Sequence, residues 1–183
     1  MLTDEDRKAL EAHLERSAQL FRDAISGLSA AQWSFEPGGG SWSIAEIAEH
    51  VAITEASILE RICGSLLHSP ADPDFMARAR QKDRVLEERI PVRTSKAQAP
   101  DAARPLRRWA TPAEAQAAFD QGRDRTLRYV LDTQDDLRGH AEAHAALKLL
   151  DGYQWLLMIA LHTERHVAQI EALKTASGYP KHA

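Results

Sequence analysis

The feature that most restricts this chain is the run Leu156-Leu157-Met158-Ile159-Ala160-Leu161-His162-Thr163-Glu164-Arg165-His166-Val167-Ala168-Gln169-Ile170. A helix turns about 100° per residue, so the two histidines lie only about 40° apart and one turn apart in rise. Both imidazoles then project the same way from an otherwise aliphatic stretch. With Ile159 as the reference direction, His166 falls at about −20° and His162 at about −60°, in or beside the inward arc of Ile159, Val167 and Ile170. Two buried imidazoles side by side lose hydration with no evident gain, unless one divalent cation takes both lone pairs. The pattern predicts a helix over about 151–175, with Gly178 and Pro180 as stop signals.

Three more amphipathic helices are predicted. The first covers about 4–28, with a stripe of Leu10, Leu14, Phe21, Ile25 and Leu28, and ends at Gly27 and Ser29-Ala30-Ala31. Pro37 and the three following glycines forbid regular helix between Trp33 and Trp42, where aromatic residues are expected to pin the loop onto the bundle. The second helix opens at Ser43-Ile44-Ala45-Glu46, a capping box, and carries Ile44, Ile47, Val51, Ile58 and Ile62 on one arc. His50 sits about 100° from Val51, at the border of that arc, where it can turn into an interhelical crevice. The third starts at Thr111-Pro112-Ala113-Glu114 and turns Ala115, Phe119, Gly122, Thr126 and Tyr129 inward. Between the second and third, about 67–110 is broken by five prolines. Phe75–Arg89 can be helical, and Ala97–Arg104 reads as a mobile loop. A connection this long can cover or border a site. With no convincing alternating strand, the expectation is all-α: one four-helix-bundle domain, residues 1–183, with a long irregular connection.

Charge and composition exclude several classes. The net charge of −4 gives no electrostatic case for nucleic acid. No apolar run approaches the roughly 20 residues of a membrane span. The start, Met1-Leu2-Thr3-Asp4-Glu5-Asp6, reads as neither signal nor transit peptide. Cys63 is the single cysteine; it reads as a small core residue and suits a reducing cytoplasm.

Other histidines are weaker candidates. His13 falls on the outer side of the first helix, His68 and His182 in loop or tail, and His140 and His144 in the loop before the last helix. The zinc-protease pattern H-E-x-x-H is not met, because Thr163 follows His162. Glu164 lies about 200° round the helix from His162, facing away as a solvent residue. Gln169 is placed to hydrogen-bond a ligand or a bound water. Glu46 is assigned to helix capping before any contact with His50. A lone histidine near an apolar stripe is more often a hydrogen-bonded core residue than a ligand, and spacing cannot show that His50 meets the other two.

The segment Trp42-Ser43-Ile44-Ala45-Glu46-Ile47-Ala48-Glu49-His50-Val51 resembles the W-S-x-x-E-x-x-x-H opening of the second helix in DinB-like (DinB/YfiT) proteins. The segment His162–Ile170 resembles their H-x-x-x-H-x-x-Q-I signature, in family order and separation. The resemblance implies a four-helix bundle with a divalent metal, zinc or nickel foremost, on His50, His162 and His166, often in a homodimer. It implies either a metal-dependent hydrolase of a small-molecule substrate or a transferase using a low-molecular-weight thiol such as bacillithiol or mycothiol. The absence of a carboxylate beside His162 favours the thiol. A non-catalytic metal-binding or small-ligand module is the alternative. Dimerisation is expected through alanine-rich helix surface such as Ala113, Ala115, Ala117 and Ala118. Arg107, Arg108 and Trp109 are candidates for substrate contacts if the connection lies over the metal end.

Overall fold

Five helices open on one device: a short polar side chain accepts the backbone N–H three residues on, and that residue's side chain bonds back. The pairs are Thr3/Asp6, Ser29/Gln32, Ser43/Glu46, Thr111/Glu114 and Asp151/Gln154. The computed structural model describes residues 1–70, 73–92 and 99–181. Helices α1 (Asp4–Ile25), α3 (Ile44–Gly64), α5 (Pro112–Asp132) and α6 (Gly152–Lys174) form a four-helix bundle. A single turn, α2 (Ala30–Trp33), follows α1, and α4 (Pro73–Arg89) lies on the long connection. α1 and α3 each pack against both α5 and α6. No helix among the described residues is long and apolar enough to cross a membrane.

The stripes of α1 and α3 bury as their periodicity dictates: Leu10, Leu14, Phe21, Ile25, Ile44, Ile47 and Ile62 are wholly enclosed. α1 stops at Ile25, three residues early, because Gly27 takes a φ of 68° and turns the chain away. Trp33 is buried, and Phe35 meets Tyr179 edge-on at 5.4 Å, so the glycine-rich loop is pinned by its aromatics. α5 departs from expectation. Its inward residues are Ala115, Phe119, Arg123, Thr126 and Val130, with Arg123 where Gly122 was expected and Val130 in place of Tyr129.

Arg123 is 1% exposed yet fully partnered. Its guanidinium forks onto both Glu55 oxygens at 2.9 and 3.0 Å, and donates to Ser17 Oγ at 2.8 Å, Thr163 Oγ1 at 3.2 Å and the Leu14 carbonyl. These contacts use all five donors of an arginine and tie the four bundle helices together. Toward the other end, Arg138 bonds Asp6 at 2.7 Å, Asp83 at 2.9 Å and Asp151 at 3.0 Å. Burial pushes Asp151 up to about 6 against the pull of Arg138. Burial also opposes the charge on Asp6, but Arg138 and the Thr3 N–H overcome it and hold that carboxyl well below its usual range.

Two expectations need correcting. A short antiparallel hairpin, β1 (Ala141–His144) with β2 (Lys148–Asp151), precedes α6, pairing Glu142 with Leu150. Its four-residue strands are too short and too poor in β-branched residues to show as alternation. Cys63 is exposed, although its neighbours Ile62 and Leu66 are buried.

Candidate metal centre

α3 and α6 bring His50, His162 and His166 together. The capping box at Ser43 sets the start of α3, so that His50 enters the crevice between Trp42 and α6; its ring lies 4.9 Å from that of Trp42. His162 directly precedes Thr163, which accepts from Arg123 at 3.2 Å. The Nε2 of His162 is 3.2 Å from that of His50 and 3.1 Å from that of His166. Three nitrogens bound to one cation at about 2.0–2.1 Å, with tetrahedral angles, would stand about 3.3–3.4 Å apart. The two separations from His162 fall just short of that spacing, and the three atoms all lie within 4.8 Å of one another.

The far side of two rings decides their tautomers. His50 Nδ1 stands 2.7 Å from the carbonyl of Ala103, which can only accept, so that nitrogen carries the proton and Nε2 presents its lone pair inward. His166 Nδ1 faces Gln169 Oε1 at 3.0 Å, which sets the same tautomer. Three Nε2 atoms therefore converge as acceptors, or with at most one N–H shared between two rings. Charge is disfavoured on His50 and His162. Burial lowers the pKa of His50, opposed by its bond to Ala103; burial, then His166 and His50, hold His162 well below its ordinary value although part of that residue reaches solvent. Neutral imidazoles sharing a pocket suit a cation far better than one another.

Carboxylates nearby are engaged elsewhere. Glu46 caps α3 through the Ser43 N–H at 2.9 Å, and also lies 3.5 Å from Arg107. Glu49 is buried and bound to backbone N–H groups of residues 106 and 108. Glu164 does face away from the histidines, but it is not a solvent residue: it is largely enclosed, 3.7 Å from Arg16 of α1. Thr163, at the zinc-protease base position, bonds the Ile159 carbonyl and Arg123 within the core.

Among the described residues no other histidine joins this group, although His144 is near enough to add to the lowering at His162. His13 approaches Glu87 of α4 at 3.5 Å, and His68 is exposed. His140 donates to the Ser69 carbonyl, and His144 packs on Trp155 at the hairpin. His182 lies outside the described residues. The connection, by contrast, does reach the site. Ala97 and Gln98 lie outside the described residues, but Asp101–Ala103 forms a 3-10 turn whose last carbonyl meets His50. Arg107 pairs with Glu36 and Arg108 with Glu49, while Trp109 packs partly buried against the core. Helical spacing places the three histidines and Gln169 on facing sides, and the structure brings them together, whereas spacing alone does not mark Ala103, Glu49, Glu55 or Arg123. A charged residue inside an apolar arc was the one available signal for the last two.

A four-helix bundle with a three-histidine cluster between two of its helices defines the class. The chain belongs to the DinB superfamily, whose family model matches residues 13–170. Among solved structures it resembles YfiT from Bacillus subtilis, described as a probable metal-dependent hydrolase with an unusual four-helix bundle topology. The TM-score there is 0.61 at 14% identity, covering 98% of this chain and 92% of that one. A DinB family member from Exiguobacterium sibiricum 255-15 is similar, with a TM-score of 0.56 at 19% identity, covering 100% of this chain and 98% of that one. No curated protein matches the sequence.

Proposed function

We propose that this chain is a divalent-metal-dependent enzyme acting on a small molecule, with His50, His162 and His166 as the ligands. The carrying observation is the convergence of three Nε2 atoms within 4.8 Å, two of them with inward lone pairs set by Ala103 and Gln169. Zinc or nickel suits an all-imidazole donor set. A cation bound there supplies Lewis acidity, lowering the pKa of a coordinated water or thiol toward neutrality. The chain's own part is to hold three neutral donors on one side and leave the remaining positions to solvent or substrate.

Transfer of a low-molecular-weight thiol to an electrophile is the favoured reaction, because Glu46 and Glu49 have other partners and Glu164 faces away from the histidines toward Arg16, so none is left as general base. Hydrolysis of a small amide or ester is the second reading, favoured by the similarity to YfiT. A single domain working as a cytoplasmic homodimer completes the proposal. Ala113 and Ala117 are exposed on α5 and available for close packing, Ala118 is half-buried, and Ala115 is buried inside the fold and is not available. Zinc- or nickel-loaded protein should be assayed on electrophile and ester panels, with and without added thiol. Product formation only with thiol supports transfer. Thiol-independent ester cleavage selects hydrolysis, and inactivity on both panels favours a non-catalytic binding module. Sedimentation at micromolar concentration should show a dimer.

A further inference from the structure

We infer that Glu49 is a positioning residue for the metal centre, acting through the strap 103–108; the inference rests on the metal reading above. Glu49 is only 1% exposed and adjoins His50 in sequence. A buried carboxylate must be hydrogen-bonded or neutralised. Here the strap does both. The Leu106 N–H donates to Glu49 Oε1 at 3.0 Å, the Arg108 N–H to Oε2 at 3.1 Å, and Arg108 Nε lies 3.3 Å from Oε1.

Between those two amides Arg107 adopts a φ of 58°, in the left-handed region that a non-glycine residue rarely takes. That conformation turns the flanking N–H groups to one side, so that one carboxylate satisfies both. The strained residue is a consequence of the clamp. Arg107 itself reaches back to Glu36 and Glu46. Three residues before the first clamped amide, Ala103 presents its carbonyl to His50 Nδ1 at 2.7 Å. Glu49 thus fixes the strap on α3 one residue from the ligand that the strap orients. Remove the clamp, and the acceptor that selects the His50 tautomer is no longer held in place.

The test uses Glu49→Gln, isosteric but without the charge, with Glu60→Gln on the exposed side of α3 as control. Zinc affinity, read by competition with a chromophoric chelator, should fall about 10- to 100-fold in E49Q, the usual loss when a partner of a metal ligand is disturbed. The control should bind as wild type. At saturating cobalt, the visible spectrum of E49Q should change in shape, which a merely less stable fold would not produce. Coupling is reciprocal, so zinc added to wild type should slow hydrogen exchange at the Leu106 and Arg108 amides. That readout stands even if the variant fails to fold. Unchanged affinity and spectrum in folded E49Q, or unchanged exchange at those amides on zinc binding, overturns the inference and leaves the metal site intact. Failure of wild type to bind zinc removes the metal reading and this inference together.

Discussion

Two of the buried polar centres in this bundle are satisfied in opposite ways. In the middle, Arg123 gives every donor to an acceptor of the protein, and Glu55 takes a further bond from Thr126 at 2.8 Å. Nearby, His50, His162 and His166 bring like nitrogens together at 3.1 and 3.2 Å. One centre is complete within the chain. The other makes best sense with a cation between its members. A close polar cluster is therefore not in itself a site; the sign and kind of the converging atoms decide.

The largest expected effect falls on the complete centre. Arg123→Ala or Glu55→Ala strands a buried charge and should cost about 3–5 kcal/mol, read by urea unfolding. Loss below about 1 kcal/mol would show that water reaches the pair. The histidine centre should respond to metal instead. Zinc at about a hundred times its Kd should stabilise wild type by about 2.7 kcal/mol, and His162→Ala should abolish that gain. Chelation should lower the melting temperature while the helical circular dichroism persists, since the apolar core does not depend on the ion. Collapse of helicity would contradict that independence.

Proton linkage separates the centres further. His50 and His162 have folded-state pKa values below their ordinary 6.5. Below about pH 6.5 the unfolded chain therefore binds more protons than the fold, and metal-free protein loses stability as pH falls. The slope is at most about 1.4 kcal/mol per pH unit for each ring, until the folded-state value is passed. His162→Ala should flatten the slope; a slope unchanged by that substitution would assign it to other groups. A smaller effect tests the scaffold alone. Ser43→Ala removes the α3 cap and should cost about 1 kcal/mol, leaving zinc stoichiometry at one per chain, with melting and metal content measured together.

The bundle and the three histidines were legible because both depend on helical periodicity. Leu10, Ile47 and Ile62 repeat on their stripes, His162 and His166 are one turn apart, and Ser43 and Glu46 are local partners. What escaped was non-local. Arg123 meets Glu55 across 68 positions, and Ala103 meets His50 across 53. Neither leaves a periodic trace. The clamp on Glu49 is made by backbone amides, which carry no residue-type signal. In the hairpin, turn geometry with Lys148 at a φ of 60° brings together strands of little intrinsic β-preference.

The most direct test of the contrast is metal stoichiometry. Purified protein would be stripped with chelator, dialysed against zinc or nickel and measured by elemental analysis, alongside His50→Ala, His162→Ala, His166→Ala and His13→Ala. One ion per chain in wild type and His13→Ala, with loss in each of the other three, is the expected result. An ion retained by all three site variants, or none bound by wild type, would contradict the assignment of a metal to this cluster.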